Sequence, residues 1–208
     1  MAKGNRAAVR PTRGSPEGVL ADYFREEHPG IYRKVQLQVR RTPRRQTGKW
    51  KTNRACRWTL DPKHPDYTAA DQICRIEAKL FATTLEFDAA PKLGKDIADA
   101  ARAVLGHEAV TGAYRCPVSG RRMNFEELED AADNPTHGRS AFQVGHVRPK
   151  GKGGVNTPEN VYWNTDLGNR IQGDKTLADT IKTIIEMAEF QRQKENIEWG
   201  ELVNRYLD

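Results

Sequence analysis

The chain has 208 residues and a mass of 23.5 kDa, which suits one packed domain or a core with an extra arm, large enough to need no covalent staples. It is 37% hydrophobic and 30% charged, with no apolar run near the ~18 residues of a membrane helix, so a soluble protein with no membrane partner is expected. The net charge is +6, and three irregularly spaced cysteines (Cys56, Cys74, Cys116) argue against a disulfide framework and for a reducing cytoplasm.

Residues 1–15 are rich in Gly, Pro and Arg and read as an arm. Their charges precede no apolar stretch, so no secretory signal is expected. Ser15-Pro16-Glu17 predicts a helix start, with Val19, Leu20, Tyr23 and Phe24 on one face to about His28, and Pro29-Gly30 ending it. From Tyr32 to Val39 the residues alternate, Val35, Leu37 and Val39 against Lys34, Gln36 and Gln38. That predicts a strand with one wet face, on which Gln36, Gln38 and Arg40 could read bases.

Arg40 to Arg57 is the most basic stretch, broken at Pro43 and Gly48 and punctuated by Trp50 and Trp58, which are more simply core residues than stacking platforms. A second strand near 54–60 would close a hairpin over it. Ten basic residues and no acidic one lie between Glu27 and Asp61. Residues 1–60 hold 15 of the 34 Lys/Arg and 4 of the 28 Asp/Glu. Such asymmetry points to a polyanionic partner, double-stranded DNA being the usual one. Arg40, Arg41, Arg44, Arg45, Lys49, Lys51, Arg54 and Arg57 are the candidate contacts.

Helices are predicted over 71–85, from Ile73, Ile76, Leu80 and Phe81, and over 94–105, ending at Gly106. From Tyr114 the texture changes. CPVSG is a tight turn, and Asn124 caps an acidic helix over 125–132. Ser140–Val147 and Asn160–Asn164 are strands around a Gly/Lys/Pro loop. A helix begins near Asp166, a long amphipathic one spans Leu177 to about Gln193, and a short one closes the chain at 198–207. His28, His64, His107 and His137 sit in no pattern and are expected at the surface. The expected fold is α+β and mostly helical. A basic N-terminal region, 1–110, carries the hairpin arm, and 111–208 forms a second unit.

Residues 142–176 hold an ordered set: His146 ending a strand, Pro149, Gly153-Gly154, Asn160 opening a second strand, and Asn169 early in a helix, followed by Arg170, Gly173, Asp174 and Lys175. A His at a strand end suits a base that activates water, because it titrates near neutrality. An amide oxygen on the facing helix suits a hard divalent ion, the helix N-terminus favours a phosphate, and the glycines let backbone approach one. Lys150, Lys152 and Arg148 flank the same loop.

The set resembles the HNH nuclease family, with its ββα-metal unit, over about 35 residues. The resemblance implies His146 as general base, Asn160 as the residue pinning its loop, Asn169 as ligand to Mg²⁺ or Mn²⁺, and cleavage to 5′-phosphate and 3′-hydroxyl ends. Arg170 would lie against DNA. Many family members carry an Asp or His metal ligand just before the base. Here that position is Gly145, with Gln143 the nearest polar substitute on the same strand face. The Val-Gly-His-Val order is also similar to that of the related nonspecific ββα-metal nucleases. Where relatives pin the unit with two CxxC pairs, this chain has Cys116, Ser119, Thr165 and Gly168, so no structural zinc is expected.

The hundred residues before the unit favour a Type II restriction endonuclease, a homodimer on a palindromic site, with the 177–193 or 71–85 helix as the contact. The alternatives are a monomeric phage or mobile-element nickase, a modification-dependent nuclease, and a DNA-binding protein with a decayed nuclease unit.

Overall fold

The computed structural model describes residues 9–42, 46–47, 50–51, 54–135, 140–195 and 198–201. Arg44, Arg45, Lys49, His137 and most of the predicted final helix lie outside these residues, as does the side chain of Lys51. Helix α1 spans Pro16–Glu27, with Ser15 as N-cap accepting from the Gly18 amide at 3.2 Å and Pro16 in the first turn. The end of the arm is not loose: Val9 is buried in the core.

The first correction follows at once. Pro29 does not end helical structure but opens α2, Pro29–Arg40, where a strand was expected. The stretch satisfies two periods. Val35, Leu37 and Val39 alternate, but Ile31, Val35 and Val39 also recur every four residues, and these last three are the buried ones. Leu37 is 51% exposed. The hairpin accordingly sits later than expected. Arg41 bridges Cys56, the Thr42 amide donates to the Ala55 carbonyl at 3.0 Å, and two-residue strands β1 (Gln46–Thr47) and β2 (Trp50–Lys51) pair antiparallel at the tip. In place of the second strand, Arg57–Thr59 forms a turn of 3₁₀ helix, and Trp58 packs against the core.

Helices α3 (Ala70–Thr84), α4 (Lys95–Leu105, closed by Gly106 at φ 81°) and α5 (Phe125–Asp133, capped by Asn124) lie where periodicity and caps put them. Strands β3 (Phe142–His146) and β4 (Val161–Thr165) form an antiparallel ladder in which Gly145 faces Tyr162 and His146 faces Val161. Helix α6 (Asp166–Gln172) starts directly at the end of β4, and α7 (Leu177–Glu195) completes the described elements.

The core runs through both regions. Leu20, Phe24, Ile31, Phe81 and Phe87 join Phe142 and Trp163 in one buried cluster, and the Trp163 indole N–H donates to the Leu80 carbonyl at 3.0 Å. Helix α2 lies along β3. Gln38 accepts from the Val144 amide at 2.8 Å and donates to the Phe142 carbonyl at 3.4 Å, replacing the neighbouring strand that β3 lacks on that side. Gln38, expected to read bases, is committed to the protein. Of the histidines expected at the surface, His107 is exposed and His28 is largely buried, and both have carboxylate partners. His28 Nδ1 lies 2.6 Å from a Glu129 carboxylate oxygen, its ring edge-on to Phe125, and His107 lies 2.8 Å from Glu86. Among the described residues no helix is long and apolar enough to cross a membrane.

Candidate active site

An open cleft of about 550 Å³ collects Arg41, Arg54, Arg57 and Gln38 from the N-terminal region with Gln143, His146, Lys150, Asn169 and Gln172 from the ββα segment. The basic stretch and the ordered His/Asn set, separate in sequence, thus line one depression.

His146 ends β3. Its carbonyl accepts from Gln172 Nε2 at 2.7 Å, and its ring Nε2 lies 3.1 Å from Oδ1 of Asn156. Burial, aided by the positive charges of Lys150 and Arg57, holds the imidazole below the usual histidine range, against the opposing pull of the Asn156 hydrogen bond. The Asn160 side chain bonds the loop after His146 at several points. Its Oδ1 accepts from the Arg148 amide at 2.8 Å, and its Nδ2 donates to the carbonyls of Arg148 at 3.0 Å and Val155 at 2.7 Å. One side chain thereby staples both ends of the loop that follows His146. Lys79 of α3 holds the same loop from outside, donating to the Pro158 carbonyl at 2.5 Å.

In the same cleft, Gln143 and Asn169 meet. Asn169 Nδ2 donates to Gln143 Oε1 at 2.7 Å, and Gln143 Nε2 donates to the Asp166 carboxylate at 3.0 Å. Asp166 also pairs with Arg170 at 3.1 Å. Gln143 Oε1 thus accepts one hydrogen bond and keeps a second lone pair, and Oδ1 of Asn169 lies outside the row. Gly145 has no room for a ligand: a Cβ there would stand 2.8 Å from the Tyr162 ring, whose hydroxyl donates to Gln172 at 2.5 Å.

Around Asn169 the side-chain oxygens of Gln143 and the Asp166 carboxylate lie in one hydrogen-bonded row, and among the described residues no three His, Cys, Asp or Glu side chains gather as a metal cage. Such a set fits a hard divalent ion that keeps most of its waters, and not a soft one. The α6 N-terminus offers less to a phosphate than expected, since Asp166 fills its first turn and Thr165 caps the Gly168 amide at 3.0 Å.

The four positions that the resemblance aligns with paired cysteines do converge. Cys116 Sγ lies 2.9 Å from Asn164 Oδ1 and accepts from the Ser119 amide at 3.4 Å, Ser119 and Thr165 hydroxyls are 3.3 Å apart, and a Cβ on Gly168 would meet Cys116 Sγ at 2.7 Å. A thiol, two hydroxyls and a glycine fill the place.

The cations divide into two groups. Arg41 and Arg54 are exposed at the cleft. Arg40, expected on the DNA face, is instead paired with Glu77 of α3, at 2.5 Å through Nε and 2.8 Å through its terminal nitrogen, with both groups largely buried. The helical turn of α2 points it inward, where a strand would have pointed it out. Arg57 is buried against Asp66 at 3.5 Å, and Lys150, expected to touch phosphate, forms a 2.7 Å pair with the same carboxylate. Arg148 braces the loop, donating to the Lys152 carbonyl at 2.5 Å. Lys152 and Arg170 are exposed. Asn156, Thr68, Asp66 and Gln172 were not legible as site residues: each is an ordinary polar residue whose partner is distant in sequence or on another element.

No protein-family model and no curated protein matches the sequence. A solved structure described as the crystal structure of a type II restriction endonuclease shares the fold over 62% of this chain and 55% of its own, with a TM-score of 0.50 and 16% of residues identical. This chain thus spans just over half the length of that protein.

Proposed function

We propose that the protein is an endonuclease of the HNH type that hydrolyses DNA phosphodiester bonds, and that it acts as a sequence-specific Type II restriction enzyme. The observation that carries this reading is the meeting, in one cleft, of His146, the Asn160-stapled loop and Asn169 with the exposed arginines of the basic region. Fold similarity to a type II restriction endonuclease supports it.

In the reaction, His146 takes a proton from a water molecule, the resulting hydroxide oxygen bonds to phosphorus, and the bond from phosphorus to the 3′-oxygen breaks with its electron pair staying on that oxygen, which takes a proton from solvent water while His146 returns its own to solvent, giving 5′-phosphate and 3′-hydroxyl ends. Desolvation keeps the imidazole neutral and ready to accept. Asn160 fixes the loop and so the base. Asn169, oriented by Gln143 and Asp166, would hold Mg²⁺ or Mn²⁺, which when bound neutralises charge on the phosphate and the leaving oxygen. Zinc has no part in this reading, because one thiol among hydroxyls cannot supply four ligands. Arg41 and Arg54 contact DNA. A palindromic site would be met by two copies of the chain, with the exposed Ile185, Met187 and Phe190 of α7 as their contact.

The test is plasmid cleavage with Mg²⁺, with end-mapping of fragments, for the wild type and His146→Ala. Discrete fragments from the wild type, a loss on the order of 10²–10⁴-fold or more in the variant, and unchanged DNA binding are expected. Near-normal cutting by folded His146→Ala protein removes the assignment.

A further inference from the structure

The resemblance accounts for His146 and Asn160 but not for what holds the imidazole itself. The Asn156 Oδ1 is the one described hydrogen-bond partner of the ring. At its other end the same amide donates through Nδ2 to Thr68 Oγ1, at 2.7 Å. Thr68 is buried. It lies two positions before α3 begins at Ala70 and is 88 positions from Asn156, so the row runs from the N-terminal region into the base. Two residues away, Asp66 clasps Lys150 of the same loop at 2.7 Å and is itself braced by Arg57. The segment 66–68 thus grips the catalytic loop at two points.

The chemistry of the row is directional. A neutral imidazole has one N–H and one lone pair, and the partner of one nitrogen decides the state of the other. An asparagine amide can present either end. With Nδ2 turned to Thr68, Oδ1 faces the ring. An oxygen acceptor there requires the hydrogen on Nε2, which puts the lone pair on Nδ1. Turned the other way, the amide would donate to Nε2, the hydrogen would sit on Nδ1, and the ring would have no free lone pair for water. Nδ1 has no hydrogen-bond partner among the described residues.

We propose that Thr68 and Asn156 form a tautomer lock in which the Asn156 amide, seated with Nδ2 on the Thr68 hydroxyl and Oδ1 on the ring, makes Nδ1 of His146 the nitrogen that accepts the proton. Both are positioning residues, and their role rests on the nuclease reading of His146. When Nδ1 takes the proton, the Nε2–H to Oδ1 bond becomes charge-assisted and steadies the imidazolium.

The test joins a tautomer measurement to kinetics. Long-range ¹H–¹⁵N correlation spectra of ¹⁵N-labelled wild type, above the His146 titration, should show the Nε2–H form. Thr68→Val removes the hydroxyl at nearly constant volume. It should give mixed tautomers and lower kcat on the order of 10–100-fold, the range for residues that orient a working ligand, with KM for DNA unchanged. Thr68→Ser should restore both. The decisive variant is the double, Thr68→Val with Asn156→Asp. A carboxylate presents an oxygen whichever way it turns, so it should restore the Nε2–H tautomer without the hydroxyl, a rescue that a packing role for Thr68 does not produce. Amide fingerprint spectra establish that each variant is folded, and should Thr68→Val not fold, Asn156→Leu against Asn156→Asp makes the same comparison. An Nδ1–H wild type, or a tautomer and rate indifferent to Thr68→Val, overturns the lock while leaving the nuclease reading intact. A wild type that cuts no DNA, or a folded His146→Ala that cuts normally, overturns the nuclease reading and with it the catalytic role of the pair.

Discussion

Arg40→Met separates a structural arginine from a DNA-reading one. In the structure the Arg40 guanidinium gives two charge-assisted hydrogen bonds to Glu77, whose side chain is 3% exposed. Methionine keeps the buried stem and deletes the charge, leaving the carboxylate buried and unpaired. Breaking a buried pair from one side costs about 3–5 kcal/mol. With a urea m-value of about 2 kcal/mol/M, the midpoint should fall by roughly 1.5–2.5 M. Burial already holds the Glu77 carboxyl above its ordinary 4.5, and Arg40 limits that rise. Without Arg40 it rises further. The sign of the pH dependence follows. A raised carboxyl pKa in the folded state means that, as pH climbs above 4.5, the unfolded chain releases a proton the folded one retains. The loss of stability is therefore greater at pH 8 than at pH 5. Arg40→Met/Glu77→Leu, which removes both charges, should return to within about 1 kcal/mol of wild type. The assay is urea unfolding of the three proteins at both pH values, with gel-shift affinity for DNA measured below the transition. Arg40→Met protein of wild-type stability but weakened DNA binding would refute the reasoning and return Arg40 to the DNA face.

The pH profile of cleavage should show its acid limb below 6.5, because a depressed pKa keeps the base neutral to lower pH; Lys150→Met should move that limb upward, since a nearby cation is lost and Asp66 is left with less compensation. An acid limb at or above 6.5 in the wild type would count against the buried base. Gly145→Asp should not create a better metal site: its side chain meets Tyr162, so we expect about 1–3 kcal/mol of destabilisation and no gain in Mn²⁺ affinity by paramagnetic titration. Tighter Mn²⁺ binding at unchanged stability would show that residue 145 faces the ion. Removing Arg41 or Arg54 should weaken binding to all DNA sequences and flatten the plot of log affinity against log salt by about 0.9 per phosphate contact; an unchanged slope in gel shifts at several salt concentrations would move the DNA surface elsewhere.

The strands and helix of the ββα segment were legible because the segment is contiguous. Strand, loop, strand and helix follow within about 30 residues, so spacing alone brings His146, Asn160 and Asn169 to their places. Helix ends were legible for the same local reason: Ser15 and Asn124 cap by bonding amides three residues on, and Gly106 turns left-handed. The N-terminal region shows where local information fails. Over eight residues, Tyr32–Val39 fits a period of two and a period of four equally well. What decides is the surface it packs on, between α3, α5 and the open side of β3, where a helix buries Ile31, Val35 and Val39 and lets Gln38 complete the ladder. The choice of α2 then reverses the meaning of Arg40, turning a cation expected to face DNA into half of a buried pair with a residue 37 positions away. Asn156 and Thr68 are likewise plain polar residues until folding brings them together. Residue type and short-range period set caps, turns and the order of the ββα segment; burial, and with it which charges are spent inside and which remain at the surface, depends on partners that only the tertiary structure assigns.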